Sequence, residues 1–190
     1  YEDSDVCLSE CINNGRYCIP DPDRDLDSGY SGADVVVSNL RALCAFKSAN
    51  DSHVPTKWWD YITEFQSSCT MSSGKFNSLP CAENAMNRAG LDTSSWNTCI
   101  GDIDANSENA MMEEQIIAQS PPGDSTRSSV RILPTVVINN VQYRGKLARG
   151  EVLKAICAGF PNDLKPEMCS DSGLINDKCA RGADGWNVCT

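Results

Sequence analysis

The chain has 190 residues, 41% of them hydrophobic and 22% charged, enough for one sizeable core and a small appendage. Sixteen Lys and Arg against 26 Asp and Glu leave a net charge of -10, which repels phosphate backbones and argues against nucleic acid as a partner. No apolar run approaches the roughly 20 residues that span a bilayer, and no charged-then-apolar leader opens the chain.

Residues 1–32 read as an irregular segment with three close cysteines, Asn13-Asn14-Gly15, and a run of Asp and Pro from Pro20 to Asp27 that favours turns. From Ala33 the pattern turns helical: Val36, Leu40, Leu43 and Cys44 predict an amphipathic helix over 33–47. Thr56 is placed as the cap of a second helix carrying Trp58, Trp59, Ile62 and Phe65. Ser78 caps a third, with Pro80 in its first turn and Gly90 at its exit. Asp92 or Ser94 opens a short fourth through Trp96 to Cys99, and a fifth spans 107–119 with Met111, Met112, Ile116 and Ile117. After a loop over 120–129 the period becomes that of a strand. Arg131 to Ile138 is expected to be a buried strand, Asn139-Asn140 a tight turn, and Val141 to Arg144 the returning strand. A helix follows from Glu151 to Ala158, ended by Gly159, and the tail 161–190 depends on its cysteines.

The eleven cysteines (Cys7, Cys11, Cys18, Cys44, Cys69, Cys81, Cys99, Cys157, Cys169, Cys179 and Cys189) indicate an oxidising compartment. Zinc is disfavoured, because no Cys-x-x-Cys occurs and the single histidine, His53, lies far from any cysteine pair. Asn50-Asp51-Ser52 is an acceptor sequon, consistent with a luminal or extracellular setting and with glycosylation at Asn50. The odd count leaves one cysteine free or paired outside the chain, and with no leader it points to an excised piece; connectivity is left open by spacing. Disulfides are expected to staple the short helices, which are marginal alone.

Ile132-Leu133-Pro134-Thr135-Val136-Val137-Ile138-Asn139-Asn140-Val141-Gln142-Tyr143-Arg144-Gly145, followed by a helix, resembles the C-terminal half of a thioredoxin-like domain, in which the strand-opening proline is cis. Cysteine-bearing helices ahead of such a unit also resemble thiol oxidoreductases with a helical insertion. A longer likeness runs through about 7–160. Cys7 to Asp23 with Ile12-Asn13-Asn14-Gly15-Arg16-Tyr17-Cys18, then Gly29 to Val36, Trp58-Trp59-Asp60-Tyr61, and Leu133 to Leu147 running on to Phe160, are similar to the central luminal region of plant-type vacuolar sorting receptors.

The resemblance implies an α+β fold: a disulfide-stapled helical cluster, a thioredoxin-like hairpin–helix half with a cis-proline strand, and cysteine-rich irregular ends. It divides as 1–32, 33–160 and 161–190, the tail holding at most the start of an epidermal-growth-factor-like repeat. The first strand–helix–strand half of a thioredoxin-like unit is not supplied by the residues before Cys7. The function implied is recognition of short peptide sorting signals on soluble cargo, with Leu133, Pro134 and Thr135 offering strand-like hydrogen bonds and Trp58 and Trp59 adding specificity. The setting would be the Golgi, prevacuolar or extracellular lumen, with a membrane anchor outside this segment.

Other chemistries are weaker. A thiol oxidoreductase would need its cysteine pair outside the chain, and Asp3, Asp5 and Glu10 near Cys7 and Cys11 would raise a thiol pKa. An extracellular adhesion or matrix module shares the same composition. His53 beside the sequon makes a poor triad member. Asp23, Asp25 and Asp27, and Asp102, Asp104, Asn106 with Glu113, alternate as in a calcium loop, but Ser28 and Ser107 stand where the tight turn needs glycine. Ser107 is placed instead as a helix cap. No metal or cofactor is expected, and Met111 and Met112 read as core.

Overall fold

The computed structural model describes residues 9–120, 129–170, 179–181 and 187–189. The chain separates into two compact units, 1–116 and 117–190.

The first unit is built around one long helix. α1 (Gly32–Asp51) starts with a reciprocal cap: the Ser31 hydroxyl accepts from the Asp34 N–H, and the Asp34 carboxylate accepts from the Ser31 N–H. Its first residue must be glycine, because a methyl there would fall on the carbonyl oxygen of Ile19. The segment read as irregular contains a small hairpin, β1 (Cys11–Ile12) against β2 (Tyr17–Cys18), with Cys11 opposite Cys18 and a disulfide between them. Its turn is made by Asn13, Asn14 and Gly15, all at positive φ, which suits Asx and Gly. Both strands pack on α1.

α2 (Lys57–Ser68), α3 (Leu79–Ala89) and α4 (Thr93–Ile100) complete the cluster, and α5 (Ala110–Gln119) follows. Two caps are as the sequence predicts: Ser78 accepts from the Cys81 N–H, and Asp92 from the Ser94 and Ser95 N–H groups. Gly90 leaves α3 in the left-handed conformation. Two caps differ. Thr56 precedes α2 but makes no side-chain cap bond, since it is already helical at φ -65° and ψ -25° within a run of turns from Val54. The cap of α5 is Asn109, not Ser107: its Oδ1 accepts from the N–H groups of Met111 and Met112, while its amide donates to the Ile100 carbonyl. α5 buries Met111, whereas Ile116 and Ile117 are exposed.

The core lies between α1, α3 and α4. Leu40, Cys44, Ala45, Ala82, Met86 and Trp96 are wholly buried. Small residues let the backbones approach; Ala82, Ala85 and Ala89 form the inward stripe of α3. Two indoles bond to successive carbonyls of α1, Trp96 to Arg41 (2.9 Å) and Trp58 to Ala42 (3.0 Å), as buried indole N–H groups require. Disulfides Cys44–Cys99 and Cys69–Cys81 close loops of 55 and 12 residues, joining α1 to α4 and the end of α2 to α3. On α2 the deeply buried side chain is Tyr61. Burial pushes its phenol up to about 12, with the Arg41 guanidinium pulling the other way.

In the second unit the strand expected over 131–138 is confined to β3 (Val137–Ile138), and its return to β4 (Val141–Gln142). Strand geometry persists only where a partner strand is present, apart from one further bond, Tyr143 N–H to the Val136 carbonyl (2.9 Å). Residues 131–134 are exposed, not buried. Asn139 and Asn140 turn the hairpin at φ 50° and 62°, the left-handed pair a two-residue turn demands. α6 (Arg149–Ala158) follows, tied by Cys157–Cys169 to a short 3-10 turn, Glu167–Ser170. A last antiparallel pair, β5 (Cys179–Arg181) and β6 (Asn187–Cys189), sets Cys179 opposite Cys189.

Replacing both Cys44 and Cys99 by Ala is expected to lower the unfolding free energy by about 4 kcal/mol, against about 3 for Cys69 and Cys81, because the longer loop restricts the unfolded chain more. Urea unfolding of the two double variants checks the order. Tyr61 is neutral in the folded protein at a pH where the unfolded phenol ionises, so its contribution is complete below pH 10 and is lost as pH rises towards 12. Between pH 9 and pH 11, stability should fall by about 1.4 kcal/mol more in the parent than in Tyr61→Phe, measured with free thiols blocked.

Candidate functional site

The strand-opening proline lies in a bare stretch of backbone. The Leu133–Pro134 peptide is cis. Ile132 and Leu133 are 71% and 81% exposed, high values for apolar side chains. The Thr135 hydroxyl donates to the Ile132 carbonyl, closing a small turn about the proline. Among the described residues no strand pairs with 131–135, so an exposed apolar segment, bent over 132–134, leads into the hairpin.

The hairpin and α6 enclose an open groove of about 420 Å³ whose lining sets Ile138, Val141 and Ala155 beside the polar Asn139, Gln142 and Arg144. Its floor is apolar because α6 presents small residues there, and Gly159 lets the turn approach: a methyl at that position would strike the Asn139 amide. Tyr143 lies across the chain at Gly145, with its hydroxyl donating to the Lys146 carbonyl (3.1 Å). These groove residues were not singled out by sequence reasoning. The only sequence sign of them is the small-residue pattern Ala155, Ala158, Gly159 on a helix that follows a hairpin.

The tryptophan pair belongs to the first unit. Trp58 and Trp59 meet edge to face at 4.5 Å, but their roles differ. Trp58 is half-buried, its N–H spent on α1, whereas Trp59 is 64% exposed. Thus the predicted residues form two groups, Leu133, Pro134 and Thr135 on one unit and Trp58 with Trp59 on the other. Asn50 is exposed on the last turn of α1.

The alternating carboxylates have local uses. Asp21, Asp23 and Asp25 each accept from the N–H two residues on, a succession of Asx turns. In the second cluster, Asn13 reaches into the 102–105 loop. Its amide donates to the carbonyls of Asp102 (3.1 Å) and Ala105 (3.2 Å), and its N–H to that of Ile103 (2.7 Å). Glu113 accepts from the Tyr17 hydroxyl (2.6 Å), which accepts from the Asn109 N–H. Burial and the neighbouring Glu113 push the Tyr17 phenol up. Among the described residues no group of three His, Cys, Asp or Glu is arranged to hold a metal, and no helix is long and apolar enough to cross a membrane. Eight cysteines are paired in four disulfides. Cys7 lies outside the described residues.

Comparison with known proteins agrees with this architecture. Residues 1–157 match the family model of the vacuolar sorting receptor thioredoxin-like domain. Vacuolar-sorting receptor 2 of Arabidopsis thaliana is 45% identical over 179 residues, covering 94% of this chain and 28% of that protein. Vacuolar-sorting receptor 4 of the same plant is 47% identical over 173 residues, 91% of this chain and 27% of the relative. Vacuolar-sorting receptor 1 of Pisum sativum is 46% identical over 182 residues, 96% and 29% respectively. The chain therefore spans less than a third of the length of these relatives. With the family model covering most of its length, and the stapled helices and proline-led hairpin in place, the chain belongs to the vacuolar sorting receptor thioredoxin-like domain family.

Proposed function

We propose that this chain is a luminal cargo-recognition module of a sorting receptor, binding short peptide signals of soluble proteins in the secretory pathway on their way to a vacuole. The observation that carries the reading is the exposed stretch 132–135, which has no partner strand among the described residues and leads into a hairpin beside an apolar groove. The exposed backbone about Pro134 takes up an extended peptide by strand-like hydrogen bonds, and the neighbouring groove receives its alternate side chains. Trp59 offers a separate apolar contact on the first unit. The four disulfides favour an oxidising lumen, Golgi or prevacuolar, and that passage brings Asn50 before the glycosylation machinery.

The module acts by binding, not catalysis. Thiol chemistry requires a thiolate with a resolving partner, and the sequence has no Cys-x-x-Cys. A thiol oxidoreductase, the reading from another class, would sustain insulin reduction; none is expected here.

Leu133 is 81% exposed, so Leu133→Ser should leave the fold intact while removing apolar area from the binding edge. Affinity for fluorescent peptides carrying vacuolar sorting signals should fall about tenfold, the size expected for one buried leucine. Unchanged affinity in a variant with parental circular dichroism would sink the hairpin mechanism.

A further inference from the structure

The first unit leaves an apolar patch at the end of its central helix. Phe46 is 48% exposed and Val54 is 38% exposed, and the exposed Trp59 packs on the same Trp58 that Phe46 meets. Phe46 and Val54 stand four residues either side of Asn50. Phe46 and Asn50 share a face of α1 as an i, i+4 pair, with side chains about 5–6 Å apart at their bases. Helical side chains lean towards the N-terminus, so the Asn50 amide is carried back over the turn that holds Phe46. Val54 is returned to the same end of the helix: His53 takes φ 59°, and the Val54 N–H bonds to the Ala49 carbonyl (2.9 Å).

The Phe46 ring is also held. It meets Trp58 edge to face at 5.8 Å, and Trp58 is anchored by its indole N–H on the Ala42 carbonyl. The adjoining helical row is polar, occupied by the Lys47–Asp51 ion pair (2.7 Å). The result is an aromatic side chain held in place on the same helix face as a sequon asparagine and one turn before it.

We propose that the first sugar of an Asn50-linked glycan seats on Phe46, with Val54 at its edge, so that the glycan covers this patch and stabilises the unit. The inference rests on the luminal reading above, which supplies the modification. In that step the Asn50 amide nitrogen loses a proton and bonds to the anomeric carbon of an N-acetylglucosamine, displacing a lipid pyrophosphate. The sugar suits the surface, since one face of its ring presents C–H groups that pack on an aromatic plane while the hydroxyls stay in water. Tethering decides the occupant. A covalently attached sugar is always at high local concentration, whereas a peptide or a second copy must bind from solution.

The test uses the chain secreted from a eukaryotic host, with the glycan trimmed enzymatically to one N-acetylglucosamine and occupancy of Asn50 read by peptide mass spectrometry. The trimmed protein should melt about 3 °C above Asn50→Gln, and this gain should vanish in the Phe46→Ala background. Sugar-ring protons should shift upfield in the NMR spectrum from the ring current of Phe46, and lose that shift in Phe46→Leu, which keeps apolar bulk if the alanine variant folds poorly. An occupied Asn50 with the same gain in every background, or with no upfield shift, overturns the seat and leaves the luminal reading standing. An unmodified Asn50 from a secreting host overturns both the seat and the modification it rests on.

Discussion

The first unit hangs on a single turn of α1. Arg41 and Ala42 accept the indole N–H groups of Trp96 and Trp58, and two residues later Cys44 is bonded to Cys99. These ties reach α4 and α2 from within four residues of one helix. Each hydrogen bond would be weak alone, contributing about 1 kcal/mol net. Their effect is joint, because each indole brings a large apolar area whose N–H must be satisfied when water is excluded. The disulfide then limits how far α4 can leave the helix it packs on. Helices of 8 to 12 residues such as α2, α3 and α4, which would fray in isolation, thereby acquire a common wall.

How much of this was legible depends on how local the cause is. The caps Ser78 and Asp92 and the exit at Gly90 were readable because each joins residues no more than three or four apart. The cap of α5 was misread: Ser107 has the right chemistry, but Asn109 also bonds to the carbonyl of Ile100, and the sequence does not advertise that contact. The 11–18 hairpin was missed although Asn13-Asn14-Gly15 is a turn signal, since two-residue strands carry no alternation to detect. Conversely, the apolar run 131–138 predicted a longer strand than exists. Hydrophobic pattern reports what a segment can pair with, while the observed strand reports what is there to pair with it. Adjacent helical residues point about 100° apart, so Trp58 and Trp59 cannot both face the core, but which of them packs is settled by the partner carbonyl on α1.

The same distinction separates scaffold from candidate site. In the first unit, apolar residues at helical spacing are largely covered by neighbouring helices, while Leu26, Phe46, Val54, Trp59, Met71, Leu79 and Ile116 stay exposed. In the second, the apolar residues of the hairpin and α6 stay partly open, with Ile132, Leu133, Val141, Ile156 and Phe160 all above 40% exposure. A two-stranded ribbon with so little cover is marginal by itself, so its order depends on α6 and on the Cys157–Cys169 link behind it. Exposed apolar side chains gathered in so short a stretch of chain favour a segment that meets a partner.

Charge sharpens that argument. The chain carries a net charge of -10, yet in 129–160 Arg131, Arg144, Lys146, Arg149 and Lys154 stand against Glu151 alone. Beyond about 10 Å in physiological salt the acidic remainder is screened, so a ligand at the hairpin feels chiefly the local basic side chains. A strongly cationic peptide would be attracted to the chain as a whole but opposed at the edge it must occupy. A peptide bearing a carboxylate beside an apolar side chain meets both the basic surroundings and the apolar groove. Under the proposed peptide-binding reading, charge would govern register and selectivity along the hairpin, and apolar burial would supply most of the affinity.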